Sequence, residues 1–367
     1  MTAMFRTSET FPGRARRRVL PRPLRATVRA TVLATVLATL LAGPLRAPAH
    51  AQDATVEPLR VVATVGMVGD LAARIAGPCG EVTTLMGPGV DPHLYQATSG
   101  DVRALGRADL ILYAGLSLEG QLGAVLDRFG ARVPTVAVAE TAVGEANRIE
   151  AGEGYAYDPH VWMDVGLWTD AVPVLRDAMA DLRPACADAL ARRAEVLTAD
   201  MEAMDAWIAS AVATVPEPQR VLVTAHDAFA YYGRAYDLAL QGVQGISTES
   251  EASIADIRTT ARSIADRGVP AVFIESTINP RTVQAVLDAA RDLGAEVTIG
   301  GTLYGDALGE AGTLEGSYLG MMYVTTRRIV EGLGGDPPPL PAALDDWRDR
   351  RGLRDGAALD AAYEAAS

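Results

Sequence analysis

The sequence predicts an α/β protein of two lobes, each with a mostly parallel sheet flanked by helices, joined by a single long helix. Three observations carry that expectation. Short apolar runs alternate with helical stretches in both halves, the spacing of parallel sheets covered by helices. Between the halves, Leu190, Ala194, Leu197, Met201, Met204, Ile208 and Val212 recur at steps of three and four, one face of a continuous helix. Finally, 367 residues with 49% hydrophobic content supply enough apolar surface for sizeable cores.

The first 51 residues are set apart from that fold. Arginines at 14, 16, 17, 18, 22, 25 and 29 precede an uncharged apolar run over 30–42, and Ala49-His50-Ala51 follows. Basic, apolar, small-x-small is the order of a secretory signal peptide. The alternative of a membrane anchor is disfavoured, because the apolar run is shorter than the roughly 20 residues a spanning helix needs. No cysteine follows the run, so lipid attachment there is not expected. Cleavage after Ala51 removes nine arginines and one acid, which takes the net charge from −13 to −21 over 316 residues. That is an acidic, exported, soluble periplasmic chain, and a nucleic-acid partner is excluded, since it would call for a basic face. The chain contains no lysine, so all 33 basic residues are arginine; nothing in the chemistry explains this.

The elements follow in order, with domain boundaries expected at 52–184, 185–215 and 216–367. In the first lobe, 59–65 is a buried strand, a helix runs through 71–75, and 81–86 is a second strand. Thr98 or Ser99 caps a short helix ending near Leu105; then come strand 110–114, helix 119–129 and strand 135–139. No glycine or proline interrupts 185–215, a helix of about 30 residues and roughly 45 Å. Pro184 and Pro216 bracket it. In the second lobe, strand 220–224 leads into a helix over 226–234 and an extended segment over 237–243. Helix 253–266, strand 271–274, helix 280–293, strand 296–299 and a last long helix over 313–332 complete it.

Chemistry concentrates on three histidines. One of the four in the chain, His50, leaves with the signal segment; His93, His160 and His226 remain. The first two sit in the same tripeptide, Asp91-Pro92-His93 and Asp158-Pro159-His160, each after a glycine-bearing stretch. Proline fixes its own φ and restricts the residue before it, so each histidine is presented from a rigid turn. Asp91 and Asp158 are either orienters of the imidazoles or turn formers. His226 directly follows a strand, where ligands of open α/β sheets bind. Each histidine alone is satisfied by ordinary local hydrogen bonds; three at such positions point to a metal, of which neutral imidazole is the commonest ligand. A fourth ligand is sought at another strand end. Asp306, in the glycine-flanked loop after strand 296–299, is the candidate, and Glu275 at the end of strand 271–274 competes with it.

The stretches 85–98, 157–165, 223–236, 242–253, 273–280 and 303–309 together resemble, in order and over nearly the whole mature chain, one family. It is the TroA-like, or surface-adhesin-like, group of metal-binding solute-binding proteins of manganese and zinc ABC importers. The resemblance implies metal ligands His93 and His160 from the first lobe and His226 and Asp306 from the second. It places Glu275 near the metal rather than on it. It also implies a cognate ABC permease in the inner membrane as partner, a monomeric binding protein, and no enzymatic activity.

Manganese members of the family often carry glutamate where this chain has His226. Zinc members usually carry a histidine-rich loop before the second histidine, whereas 143–157 here offers only Glu145, Glu150 and Glu153. Three imidazoles and a carboxylate suit zinc, and a bidentate Asp306 also admits manganese. The expected cargo is therefore Mn2+ or Zn2+. A rival from another class is an exported zinc hydrolase, in which three histidines and a bound water supply hydroxide. Against it, Asp306 closes the fourth position. Cys79 and Cys186 each follow a helix that starts at the metal end, so both are expected at the opposite end of the first lobe, within reach of a disulfide.

Overall fold

A computed structural model describes residues 57–152, 154–353 and 356–366; the expected signal segment, 1–51, lies outside them. Strand β1 (Leu59–Ala63) opens the first half and is followed by α1 (Gly66–Ala76), β2 (Gly80–Thr84), α2 (Ser99–Leu105) and β3 (Leu110–Tyr113). Next come α3 (Gly123–Gly130), β4 (Thr135–Ala137), α4 (Val138–Ala142), α5 (Val165–Trp168) and α6 (Ala171–Leu182). The strands make one parallel sheet in the order β2-β1-β3-β4, with Val61 opposite Val82 on one side and Leu110 on the other. β1 is buried at four of its five residues, as a central strand covered on both faces must be.

Local chemistry explains the boundaries. Thr98 caps α2 through a reciprocal box, its hydroxyl accepting from the Asp101 N–H while the Asp101 carboxylate accepts from the Thr98 N–H. The helix expected over 119–129 begins as a 3-10 turn, Gly120–Leu122, and turns α-helical at Gly123. Leu116 and Ser117 take left-handed φ, and the Glu119 carboxylate folds back to accept the N–H groups of Ala114 and Gly115. The strand expected to reach 139 stops at Ala137, where the chain turns directly into α4.

Helix α7 (Ala187–Val212) has 26 residues, about 39 Å at the usual rise. All seven residues of its expected apolar face are buried. It is shorter than expected because residues Pro184–Cys186 form a separate 3-10 turn and the last turn unwinds before Pro216. Cys186 in that turn is bonded to Cys79, which closes the 3-10 turn after α1, with a Cα–Cα distance of 6.2 Å.

The second half runs β5 (Val221–Thr224), α8 (Ala230–Tyr236), β6 (Ala239–Gly242), α9 (Ile254–Arg267), β7 (Ala271–Glu275) and α10 (Arg281–Asp292). It ends with β8 (Thr298–Leu303), α11 (Tyr318–Gly332), α12 (Asp345–Arg350) and α13 (Gly356–Ala365). Its strands form two parallel pairs, β5 with β6 and β7 with β8. Three boundaries differ from expectation. The helix expected from His226 begins at Ala230, leaving His226 in a loop. The strand expected over 296–299 is displaced to 298–303, with an irregular register between Val272 and Ile274 of its partner. The helix expected from Thr313 waits for Ser317, whose hydroxyl caps it at the Gly320 N–H. One large core runs through both halves and along α7; a smaller one, including Val223, Ile264, Val272 and Val286, lies under α9 and α10.

Candidate metal centre

The four expected residues come from four separate segments. His93 stands in the loop after β2, and His160 precedes the 3-10 turn Val161–Met163. His226 lies two residues past β5 and Asp306 three residues past β8. Strand ends thus deliver both second-half groups, as the sheet topology requires. Gly305 permits the last approach: a Cβ there would stand 2.9 Å from Glu275 Oε2.

Their donor atoms all lie within 4.8 Å of one another. His93 Nε2 is 3.3 Å from His160 Nε2 and 3.4 Å from Asp306 Oδ2. His160 Nε2 is 3.3 Å from Asp306 Oδ1, and His226 Nε2 is 3.1 Å from Asp306 Oδ2. Ligands held tetrahedrally at 2.0–2.1 Å from a metal stand about 3.3 Å apart, so these separations fit one small cation. Asp306 turns both oxygens toward the imidazoles, which also allows bidentate ligation. All four residues are at most 2% exposed. Neither Asp306 oxygen has a hydrogen-bond partner. A buried, unpaired carboxylate is costly unless a positive charge neutralises it.

Behind each imidazole stands an orienting group. His160 Nδ1 is 2.7 Å from Asp158 Oδ1, which also accepts the His160 backbone N–H at 2.9 Å. Glu275 lies behind His226 rather than among the four: its Oε1 accepts the His226 backbone N–H at 2.8 Å, and Oε2 is 2.8 Å from Nδ1, off the ideal hydrogen-bond line. His93 differs, its Nδ1 meeting the Tyr155 hydroxyl at 3.2 Å. Burial pulls the His160 imidazole down, but Asp158 and Asp306 outweigh it and push it up to about 9. Burial likewise acts against charge on His226, where Glu275 and Asp306 win and hold it well above its usual value. Burial would raise Asp306, yet His226 and His160 keep it well below the usual carboxylate range. The pocket is organised for positive charge around one carboxylate.

Buried aromatic groups tie the floor together. Trp162 Nε1 donates to the Gly305 carbonyl at 2.8 Å, the Tyr318 hydroxyl to the Trp162 carbonyl at 2.7 Å, and the Tyr231 hydroxyl to the Asp158 carbonyl at 3.1 Å. The sequence reading missed these and Tyr155. Only the nearness of Trp162 to His160 and of Tyr155 to Asp158 marks them, and no spacing rule singles them out.

Residues 61–332 match the family described as the zinc-uptake complex component A, periplasmic. The chain is 41% identical over 277 residues to the manganese-binding lipoprotein MntA of Bacillus subtilis, spanning 76% of this chain and 90% of that protein. It is 43% identical over 274 residues to the zinc-binding protein TroA of Treponema pallidum, spanning 74% and 88%. The solved structure of the periplasmic zinc-binding protein TroA from the same organism superposes with a TM-score of 0.74, over 76% of this chain and 99% of that one. With the match covering nearly all of both halves and the long helix between them, the chain belongs to the family of periplasmic A components of zinc-uptake complexes.

Proposed function

We propose that the protein captures one divalent metal ion, Mn2+ or Zn2+, through His93, His160, His226 and Asp306 and delivers it to an ABC permease of the inner membrane. One observation carries the reading: four buried donors converge at the spacing of a small cation's ligands, with both Asp306 oxygens unpartnered. The manganese- and zinc-binding relatives support it.

The proposal divides the chain into a signal segment (1–51), a first lobe (52–184), a linking helix (185–215) and a second lobe (216–367). Each lobe gives two ligands, so the metal cross-links them, and release requires the permease to draw the two pairs apart. Zinc binds more tightly than manganese at most such sites, so affinity alone does not set the cargo. The protein acts as a monomer and not as an enzyme: Asp306 fills the position a catalytic water would need, and Glu275 is engaged with His226. We place it in the periplasm as a soluble protein. Among the described residues no helix is long and apolar enough to cross a membrane. Although MntA is called a lipoprotein, both cysteines of this chain are bonded to each other and neither is free for a lipid.

Calorimetry with Zn2+ and Mn2+ tests the assignment. One ion per chain is expected, with tight binding lost in His226→Ala. Unchanged zinc affinity in that variant sinks the four-ligand site.

A further inference from the structure

The stretch 242–253, one of those that resemble the family, contributes no ligand, yet its loop crosses to the other half beside His93. Two consecutive residues of it each reach a first-half partner. The Thr248 hydroxyl donates to Asp91 Oδ2 at 2.6 Å, and Glu249 Oε1 accepts from Gln121 Nε2 at 2.9 Å. Thr248 is 8% exposed, whereas Gln121 and Glu249 lie at the rim.

One of those partners, Asp91, is a group that holds His93. Tyr155 meets its Nδ1, and Asp91 Oδ1 accepts its backbone N–H at 2.9 Å. We infer that Thr248 is a positioning residue for metal retention: a strap from the second half that fixes Asp91, which holds the His93 backbone, so that lifting the strap loosens this ligand first. The inference rests on the metal-capture reading above and deepens it.

His160 and His226 are built otherwise. The carboxylate at each Nδ1 belongs to the same half as its histidine: Asp158 sits in the same tripeptide as His160, and Glu275 ends the strand next to β5. Separating the halves leaves those two pairs intact. It removes the hydroxyl that anchors Asp91. An outer partner of a ligand governs how firmly the ligand is oriented, so His93 is the arm whose hold depends on closure.

The test is the dissociation rate of Zn2+, followed by rapid mixing of the zinc-loaded full chain with a chelator. Thr248→Val removes the hydroxyl at nearly constant volume and is expected to speed release about tenfold, the lower end for loss of an outer partner. Thr248→Ser keeps the hydroxyl and should release at the parental rate. The melting temperature of the metal-free protein should differ little between the two variants, which separates positioning from general destabilisation. Thr248→Ala reads the same coupling if the valine variant does not fold. Release unchanged in Thr248→Val, or equally fast in the valine and serine variants, overturns the strap while leaving the ligand assignment standing. Failure of the parent to bind Zn2+ brings down the functional reading, and the strap with it.

Discussion

Asp91-Pro92-His93 and Asp158-Pro159-His160 are the same tripeptide, and both aspartates accept the N–H of the histidine two residues on at 2.9 Å. Beyond that turn they part. Asp158 also reaches the ring of its own histidine, at 2.7 Å from Nδ1. Asp91 points away to Thr248 and leaves Nδ1 of His93 to a tyrosine. A carboxylate at Nδ1 fixes the tautomer and makes the ligand more basic; a phenol does so less. The difference teaches that one motif can present one imidazole held by its own aspartate and another held by a tyrosine, depending on what the rest of the chain places beside it.

The comparison is broken most severely by removing the group all three imidazoles share. Asp306→Ala should abolish tight zinc binding, with no saturable heat in calorimetry, because it leaves three cationic or unpaired imidazoles facing one another. Retained tight binding would mean that the three histidines suffice. Next in size, Asp158→Asn and Glu275→Gln should each weaken zinc binding by about 10–100-fold. Tyr155→Phe should cost less, below about tenfold, since it removes only a neutral partner. If the tyrosine variant is the weakest binder of the three, the ranking of the arms is reversed.

Acidity should act in the same direction. His160, pushed up to about 9 by Asp158 and Asp306, carries a proton below that pH in the metal-free protein, and a metal must displace it. Apparent zinc affinity should therefore rise with pH while His160 and His226 still hold their protons, by about tenfold per pH unit for each proton released. Titrations at about pH 6 and 8 that give equal affinities contradict this. The smallest effect on metal is expected far from the site. Loss of the Cys79–Cys186 bond, which closes a separation of 107 residues, should lower unfolding stability by about 2–5 kcal/mol and leave metal stoichiometry at one. A changed stoichiometry in Cys79→Ser would tie the disulfide to the site.

Much of the fold was legible because its signals are local. The apolar steps along 190–212 marked the long helix, and the expected cap at Thr98 or Ser99 marked the start of α2, where Thr98 caps it. Errors fell where a side chain overrode the local pattern. The Glu119 carboxylate satisfied two backbone N–H groups instead of starting a helix, and the loop after β5 was held open by Glu275 bonding the His226 N–H. The four convergent residues were legible from rare histidines presented by Asp-Pro turns or a strand end, and from resemblance. The strap was not, because threonine and glutamate in a loop look the same whether they face water or a partner 157 residues away in sequence.

By itself, then, the sequence determined which residue types could bind a cation, the tight turn each Asp-Pro-His makes, and the strand-helix order that brings strand ends to one side. These depend on neighbours within a few positions. Only the tertiary structure decided which aspartate serves its own histidine and which serves the opposite half, and that a tyrosine and a threonine complete the site. Those choices follow from distances between segments far apart in the chain, which no local spacing encodes.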